Sequence, residues 1–370
     1  NLDPVWRATY DGIEFDIRVL RAVDFEAERP RDAIAGLAVA DFGQKLLVEF
    51  GARFVEVEPM PGEIEPGEER SVLHQRSGSH NSEASRVMKI GIISPNADNG
   101  VAPAELARDL EERGYDSLWV GEHTHMPVSR DSPHPSGGEM PHVYSHVRDP
   151  FVSLGMAAAV TTRLKLGTAV CQVLQHQVLD LAKSIATLDR LSHGRFLFGA
   201  GVGWNREELA NVSPVPWPRR FEAMRETIAA LREIWANDVA SYDGEFVKFT
   251  PSWSYPKPTR PSGPPILLGL HGPLGLRHVA AYADEWLPAA SRLGDLREGF
   301  ATFRAAVEAA GRDPADIPIS LVCFSPPSVG MIESYASLGV QRIVLLGPNE
   351  VDPYKRFADA FQPILEQFAS

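Results

Sequence analysis

From Met88 onward, apolar runs of strand length alternate with stretches of helical periodicity. This alternation constrains the fold more than any motif does. The strand-like runs are 88–94, 117–121, 164–171, 195–202, 265–269, 284–288, 317–323 and 341–346. The helical patterns are 103–113, 149–161, 178–190, 218–236, 273–281, 295–310, 328–338 and 351–369. Strands separated by helices pair in parallel, because a parallel partner needs a crossover. Eight of each favour an α/β fold of the closed (β/α)8 TIM-barrel type over an open doubly wound sheet. In AELARDLEER, Leu106, Ala107 and Leu110 share one face, and Gly114 follows as a left-handed cap. Phe221, Met224, Ile228, Leu231 and Trp235 recur at three- and four-residue spacing and read as a core stripe.

Three parts are expected: residues 1–60, a flexible linker over 61–87, and the barrel over 88–370. Residues 60–87 are rich in Pro, Gly, Ser and Glu and show no period. The net charge of −13 disfavours nucleic acid and anionic membrane as partners. No run of eighteen apolar residues exists, so no membrane span is expected. The start, NLDPVWRATYDG, lacks the basic and apolar regions of a signal peptide. Two cysteines, Cys171 and Cys323, cannot build a disulfide framework or a metal cluster, which fits a reducing cytoplasmic setting.

In a barrel of this kind the chemistry sits just beyond the C-terminal strand ends. Glu122, His123, His125 and Met126 follow the second strand. Thr168, Ala169 and Val170 end the third, and Gly201, Val202, Gly203 and Trp204 end the fourth. Gly269, Leu270, His271 and Gly272 follow the fifth and precede a helix, whose free N–H groups suit a phosphate. The alternating glycines in GAGVGW let backbone approach a ligand closely. An imidazole can exchange a proton near neutral pH, so His123 is the main candidate for chemistry and His125 its competitor. His134, His142 and His146 lie in a long Pro/Gly-rich loop of the kind that acts as a lid, without metal-site spacing.

Leu181 to Trp204, together with DPFVSLGMAAAVTTRLKLGTAV and PPILLGLHGPLGLRHVAAYADEWLP, resembles the bacterial luciferase-like family over residues 88–370. That family includes FMN-dependent monooxygenases and deazaflavin (F-420) dependent oxidoreductases. The resemblance implies a TIM barrel with the cofactor ring at its mouth and a small organic substrate. A homodimer is implied as well. It assigns Glu122 and His123 to the pair facing the reactive ring edge. It places Thr168, Ala169 and Val170 beneath the ring, with a cis peptide at Ala169-Val170. Gly201, Val202 and Gly203 would contact the cofactor, and Gly269 to Gly272 its phosphate, although Leu270 replaces a usual glycine. Trp204 stands where sugar-phosphate dehydrogenases of the family carry an acidic glutamate. This argues for an apolar or aromatic substrate, with Trp204, His125 and Met126 around it. Glu207 or Glu208 is the replacement acid to consider. An arginine usual before the third helix is absent, and Arg219-Arg220 is a replacement positive charge. The best match is to the deazaflavin subgroup, with F-420 as cofactor. An FMN-dependent monooxygenase and a degenerate barrel that only binds a ligand are the alternatives.

Residues 37–59 resemble the opening of family III CoA-transferases, which runs strand, helix, strand and ends in Val-Glu-Pro. Ala40-Asp41-Phe42 and Val57-Glu58-Pro59 carry the match. The connection Gly43 to Ala52 has only ten residues, short for a parallel crossover. The expectation is a small α/β remnant without transferase activity, or else an unrelated extension.

Overall fold

The computed structural model describes residues 88–135 and 137–368, and the backbone of five short strands within residues 6–57. The chain divides into two units, Asn1–Asn81 and Ser82–Ser370.

In the first unit, Trp6–Tyr10 pairs antiparallel with Ile13–Ile17. Val39–Phe42, Lys45–Phe50 and Arg53–Val57 form an antiparallel meander. The helix anticipated between Ala40 and Val57 is thus replaced by a strand. The reason is length: ten residues are too few to carry a helix back for a parallel crossover. The linker expected at 61–87 lies outside the described residues.

In the second unit the strands are β1 (Lys89–Ser94), β2 (Ser117–Val120), β3 (Lys165–Thr168), β4 (Phe196–Gly201), β5 (Ile266–Leu268), β6 (Glu285–Trp286), β7 (Ser320–Cys323) and β8 (Arg342–Leu346). Their order in the sheet is β6-β5-β4-β3-β2-β1-β8-β7, parallel throughout. Two isolated bridges, Trp286–Ile319 and Ala289–Val322, join β6 to β7. The sheet is therefore nearly closed into a barrel, as the alternation of elements requires. The helices are α1 (Pro103–Arg113), α2 (Pro150–Val160), α3 (Val178–Leu191), α4 (Arg206–Val212), α5 (Arg220–Ala236), α6 (Gly272–Tyr282), α7 (Leu296–Ala309), α8 (Val329–Ser337) and α9 (Val351–Phe368). Short α4 and a hairpin of Val239–Asp243 with Lys248–Trp253 are insertions between β4 and β5.

The expected core stripe on α5 is real: Met224, Ile228, Leu231 and Trp235 are buried. Gly114 ends α1 at φ +90°, a conformation that costs glycine little. Inside the barrel, Ile93, Trp119, Leu197, Leu267, Leu287, Val322 and Val344 form one apolar cluster. Trp119 pairs in register with Gly167, and a Cβ on Gly167 would meet the indole at 2.1 Å. Large and small side chains thereby share one layer.

The N-terminal end of the barrel is polar and sealed. Buried Arg342 donates to Asp116 and Glu285, each at 2.7 Å, and to Ser320 Oγ at 2.8 Å. A charge buried there is tolerated because two of its three partners are carboxylates. Ligand space is left at the opposite end. Among the described residues no helix is long and apolar enough to cross a membrane.

Candidate active site

A cavity of about 260 Å³ opens at the C-terminal rim. Ile93, Val143, Val147, Ala169, Val170 and Leu346 make it mainly apolar, and Glu122, His123, Tyr144, Gln172, Gly203 and Trp204 also line it. Its floor is the end of β3. The peptide Ala169-Val170 is cis, as the family resemblance implied. Just past it, Cys171–Gln172 pairs with β4 at Ala200 and Gly201. Gly199 and Gly201 make room for this irregular stretch. A Cβ on Gly199 would lie 1.9 Å from Thr168 O, and one on Gly201 2.5 Å from Val170. Those glycines therefore serve strand packing. Thr168 is fully buried and its Oγ1 donates to Gly199 O at 2.8 Å. Thr168, Gly201 and Val202 do not line the cavity, whereas Ala169, Val170 and Gly203 do.

His123 is the central polar group. Its Nδ1 lies 2.9 Å from Glu208 Oε2 and 3.1 Å from Oε1. Glu208 is fully buried, held in the first turn of α4 where its N–H donates to Asn205 Oδ1 at 3.0 Å. Glu208 is the partner that the linear sequence offered only as a replacement acid. The spacing Asn205-x-x-Glu208, a helix-start signal, was the available clue. Gln172 joins the group. Its Nε2 donates to Glu122 O at 2.7 Å and lies 3.3 and 3.4 Å from the Glu208 oxygens. Its Oε1 accepts from Gln175 Nε2 at 2.8 Å.

Glu122 lines the cavity beside His123, and its carboxylate is engaged by protein donors. Its carboxylate is buried, with Oε2 accepting from Gln172 N at 2.6 Å and Oε1 paired with His176 Nε2 at 2.7 Å. Burial works against charge on His176, but Glu122 outweighs it and raises the imidazole above its ordinary value. Burial, reinforced by Glu122, pushes the Cys171 thiol well up. Donor atoms of Glu122, Cys171 and His176 lie within 4.8 Å of one another. Both carboxylate oxygens are already occupied by protein donors, which describes a proton-sharing brace for the β2 and β3 ends.

Four rings cluster over this site. Tyr144 lies edge-on to His123 at 5.1 Å and to Trp204 at 6.0 Å between ring centroids. His134 meets Tyr144 at 5.1 Å and Trp204 at 5.5 Å. Tyr144 and His134 come from the long loop between β2 and α2, which thus forms a wall of the cavity. The loop is tied down by Arg206 N to Ser132 Oγ at 3.0 Å, by Arg292 to Pro135 O, and by a bridge of Ala97 to Val147.

His125 and Met126 stand apart from the cavity lining. His125 contacts Thr124 Oγ1 and Asn211, and Met126 Sδ accepts from Asn205 Nδ2 at 3.4 Å. Gly269, Leu270, His271 and Gly272 also lie outside that lining, at the start of α6. Trp286 Nε1 donates to Leu270 O at 2.8 Å and shapes this turn. Gly272 has φ +70° and open space where a Cβ would be. Arg219 is engaged by Glu245 and Glu222, and Arg220 stacks on Trp217 and Phe221. Both arginines are occupied by their own surface.

Comparison with known proteins agrees with this fold. The family described as luciferase-like monooxygenase matches residues 88–345. An uncharacterized protein of Mycobacterium tuberculosis is 39% identical over 287 residues, which is 76% of this chain and 98% of that protein. An F420-dependent glucose-6-phosphate dehydrogenase of Kineococcus radiotolerans is 28% identical over 218 residues, 58% of this chain and 60% of that one. Among solved structures, a monooxygenase from Streptomyces bottropensis superposes with TM-score 0.62 at 20% identity, over 76% of this chain and 98% of its own. The chain belongs to the luciferase-like monooxygenase family, an enzyme family of oxidoreductases and monooxygenases.

Proposed function

We propose that the barrel is an oxidoreductase that moves a hydride between a small uncharged organic substrate and a deazaflavin of the F-420 type. The observation that carries this reading is His123, held by a buried carboxylate, beside an apolar cavity floored by Ala169 and Val170. The residues present fit a flat tricyclic ring. Ala169 and Val170 would support one face, and Gly121 would allow close backbone approach. A Cβ on Gly121 would touch nothing nearer than Ala169 O at 3.5 Å. The open start of α6 at Gly272 suits an anionic tail, since backbone N–H groups at a helix start attract phosphate. When bound, such a cofactor supplies the hydride donor or acceptor.

The chain itself supplies binding, exclusion of water and one mobile proton. Trp204 and Tyr144 wall the cavity with aromatic surface, which favours an apolar partner and offers no cation for a phosphorylated sugar. His123 exchanges a proton at the ring nitrogen that Glu208 does not engage. Hydride transfer from carbon together with proton transfer from oxygen points to alcohols or their ketones as substrates. The F420-dependent relative supports the deazaflavin reading, and the family description keeps an FMN-dependent monooxygenase as the second reading.

Equilibrium binding of F-420 and FMN, measured side by side by fluorescence, tests the cofactor. Tight binding of F-420 with weak binding of FMN is the expected result. Preference for FMN would replace this reading with the monooxygenase. Binding without turnover on a panel of alcohols and ketones would leave a ligand-binding barrel.

A further inference from the structure

The carboxylate of Glu208 has no exposure to solvent. Burying an ionised carboxylate is costly unless donors satisfy it. Among the described residues, two approach its oxygens: His123 through Nδ1 at 2.9 and 3.1 Å, and Gln172 through Nε2 at 3.3 and 3.4 Å. The orientation of the Gln172 amide is set elsewhere. Its nitrogen donates to Glu122 O and its oxygen accepts from Gln175. Gln172 therefore presents N–H and no acceptor to the pair, although its nitrogen sits 3.2 Å from His123 Nδ1. A carboxylate facing a bare Nδ1 would set lone pair against lone pair, so the 2.9 Å contact with Glu208 favours hydrogen on Nδ1, with the Gln172 N–H directed to the Glu208 oxygens.

From this arrangement we infer that Glu208 is a positioning residue that fixes His123 in the Nδ1–H form and leaves Nε2 as the proton-exchanging atom. Among the described residues no hydrogen bond is made to Nε2, and His123 lines the cavity. The kinetic part of the inference rests on the oxidoreductase reading. In the oxidising direction Nε2 would accept the substrate O–H proton, and a bound deazaflavin would supply the acceptor for the carbinol hydride. In the reducing direction the imidazolium returns that proton to the carbonyl oxygen. The charge that develops on His123 finds a carboxylate already in place, so nothing need reorganise as the proton moves. The same logic holds a histidine by a buried acid in hydrolytic triads. Trp204, at the position from which an acid would face the ring, lies edge-on to His123 at 6.0 Å between centroids.

The test uses the full chain labelled with ¹⁵N-histidine, with His123→Asn to assign the resonance. The wild-type protein should show His123 protonated at Nδ1. An Nε2–H resonance would overturn the inference without any variant being made. Glu208→Gln keeps the shape of the side chain and should redistribute the tautomers. With F-420 and alcohol substrates it should lower kcat by about a hundredfold or more while leaving KM and F-420 affinity within about twofold. A merely structural tie between α4 and β2 would leave kcat and tautomer unchanged in that variant, and that result would also overturn it. If the protein binds neither cofactor, the oxidoreductase reading fails, and the nitrogen spectrum alone decides the role of Glu208.

Discussion

Glu111 shows how one side chain can organise a junction far from the cavity. It sits near the end of α1, and its carboxylate accepts from the backbone N–H groups of Thr162, Arg163 and Leu164 at 2.7–3.0 Å. These are the free donors of the turn between α2 and β3. Partial burial acts against its charge, but the three N–H donors dominate and bring the carboxyl down to about 2 from an ordinary 4.5. A group whose folded value is depressed stabilises the fold above its ordinary value and loses that contribution as pH falls toward the depressed one. Glu111→Gln should therefore cost about 1–3 kcal/mol at neutral pH. Denaturant unfolding of wild type and variant should converge between pH 4.5 and pH 2. A gap that stays constant over that range would contradict this account. The polar groups of the site were unequally visible in the chain. His123 could be found because an imidazole just after a barrel strand is chemically conspicuous. Tyr144 and Gln172 could not, because only the course of a long loop and an irregular strand end brings them to His123.

The strands and helices of the barrel were legible because each strand is a short apolar run and each helix carries a 3.6-residue stripe. The hairpin of Val239–Asp243 and Lys248–Trp253 was not, since most of its residues are exposed and the inward positions of its first strand, Ala240 and Tyr242, are too few to set a pattern. Short α4 hid for another reason. Seven residues hold fewer than two full turns of pattern, and only its capping residue announced it. The glycines were visible, but their roles were not. Gly199, which the sequence places among ligand-facing glycines, meets the Thr168 carbonyl instead. Gly199→Ala should destabilise the barrel by about 2–3 kcal/mol, because backbone must shift to admit the methyl group. Gly114→Ala meets no neighbour and faces only the left-handed backbone, so about 1 kcal/mol is expected. Chemical denaturation midpoints rank the pair, and a reversed order would contradict the packing argument.

The molecule as a whole separates its tasks between the two ends of one barrel. Arg342, Asp116, Glu285 and Ser320 knit the N-terminal end, while the rim carries the cavity and its histidine. The core clusters of the second unit use residues from Met88 to Leu365. A chain of residues 88–370 should accordingly fold alone, with cofactor affinity and thermal midpoint close to those of the full chain. Loss of cooperative unfolding in that fragment would show that residues 1–87 contribute to the barrel. The β6–β7 join has a consequence of its own. Continuous hydrogen-bond ladders bind most other neighbours, whereas here two lone bridges act as a clasp. We expect thermal breathing of the ring to begin at that clasp, near the Leu270 carbonyl that Trp286 holds. A ligand tail could then come and go through a loosening hoop while the chemical groups keep their alignment.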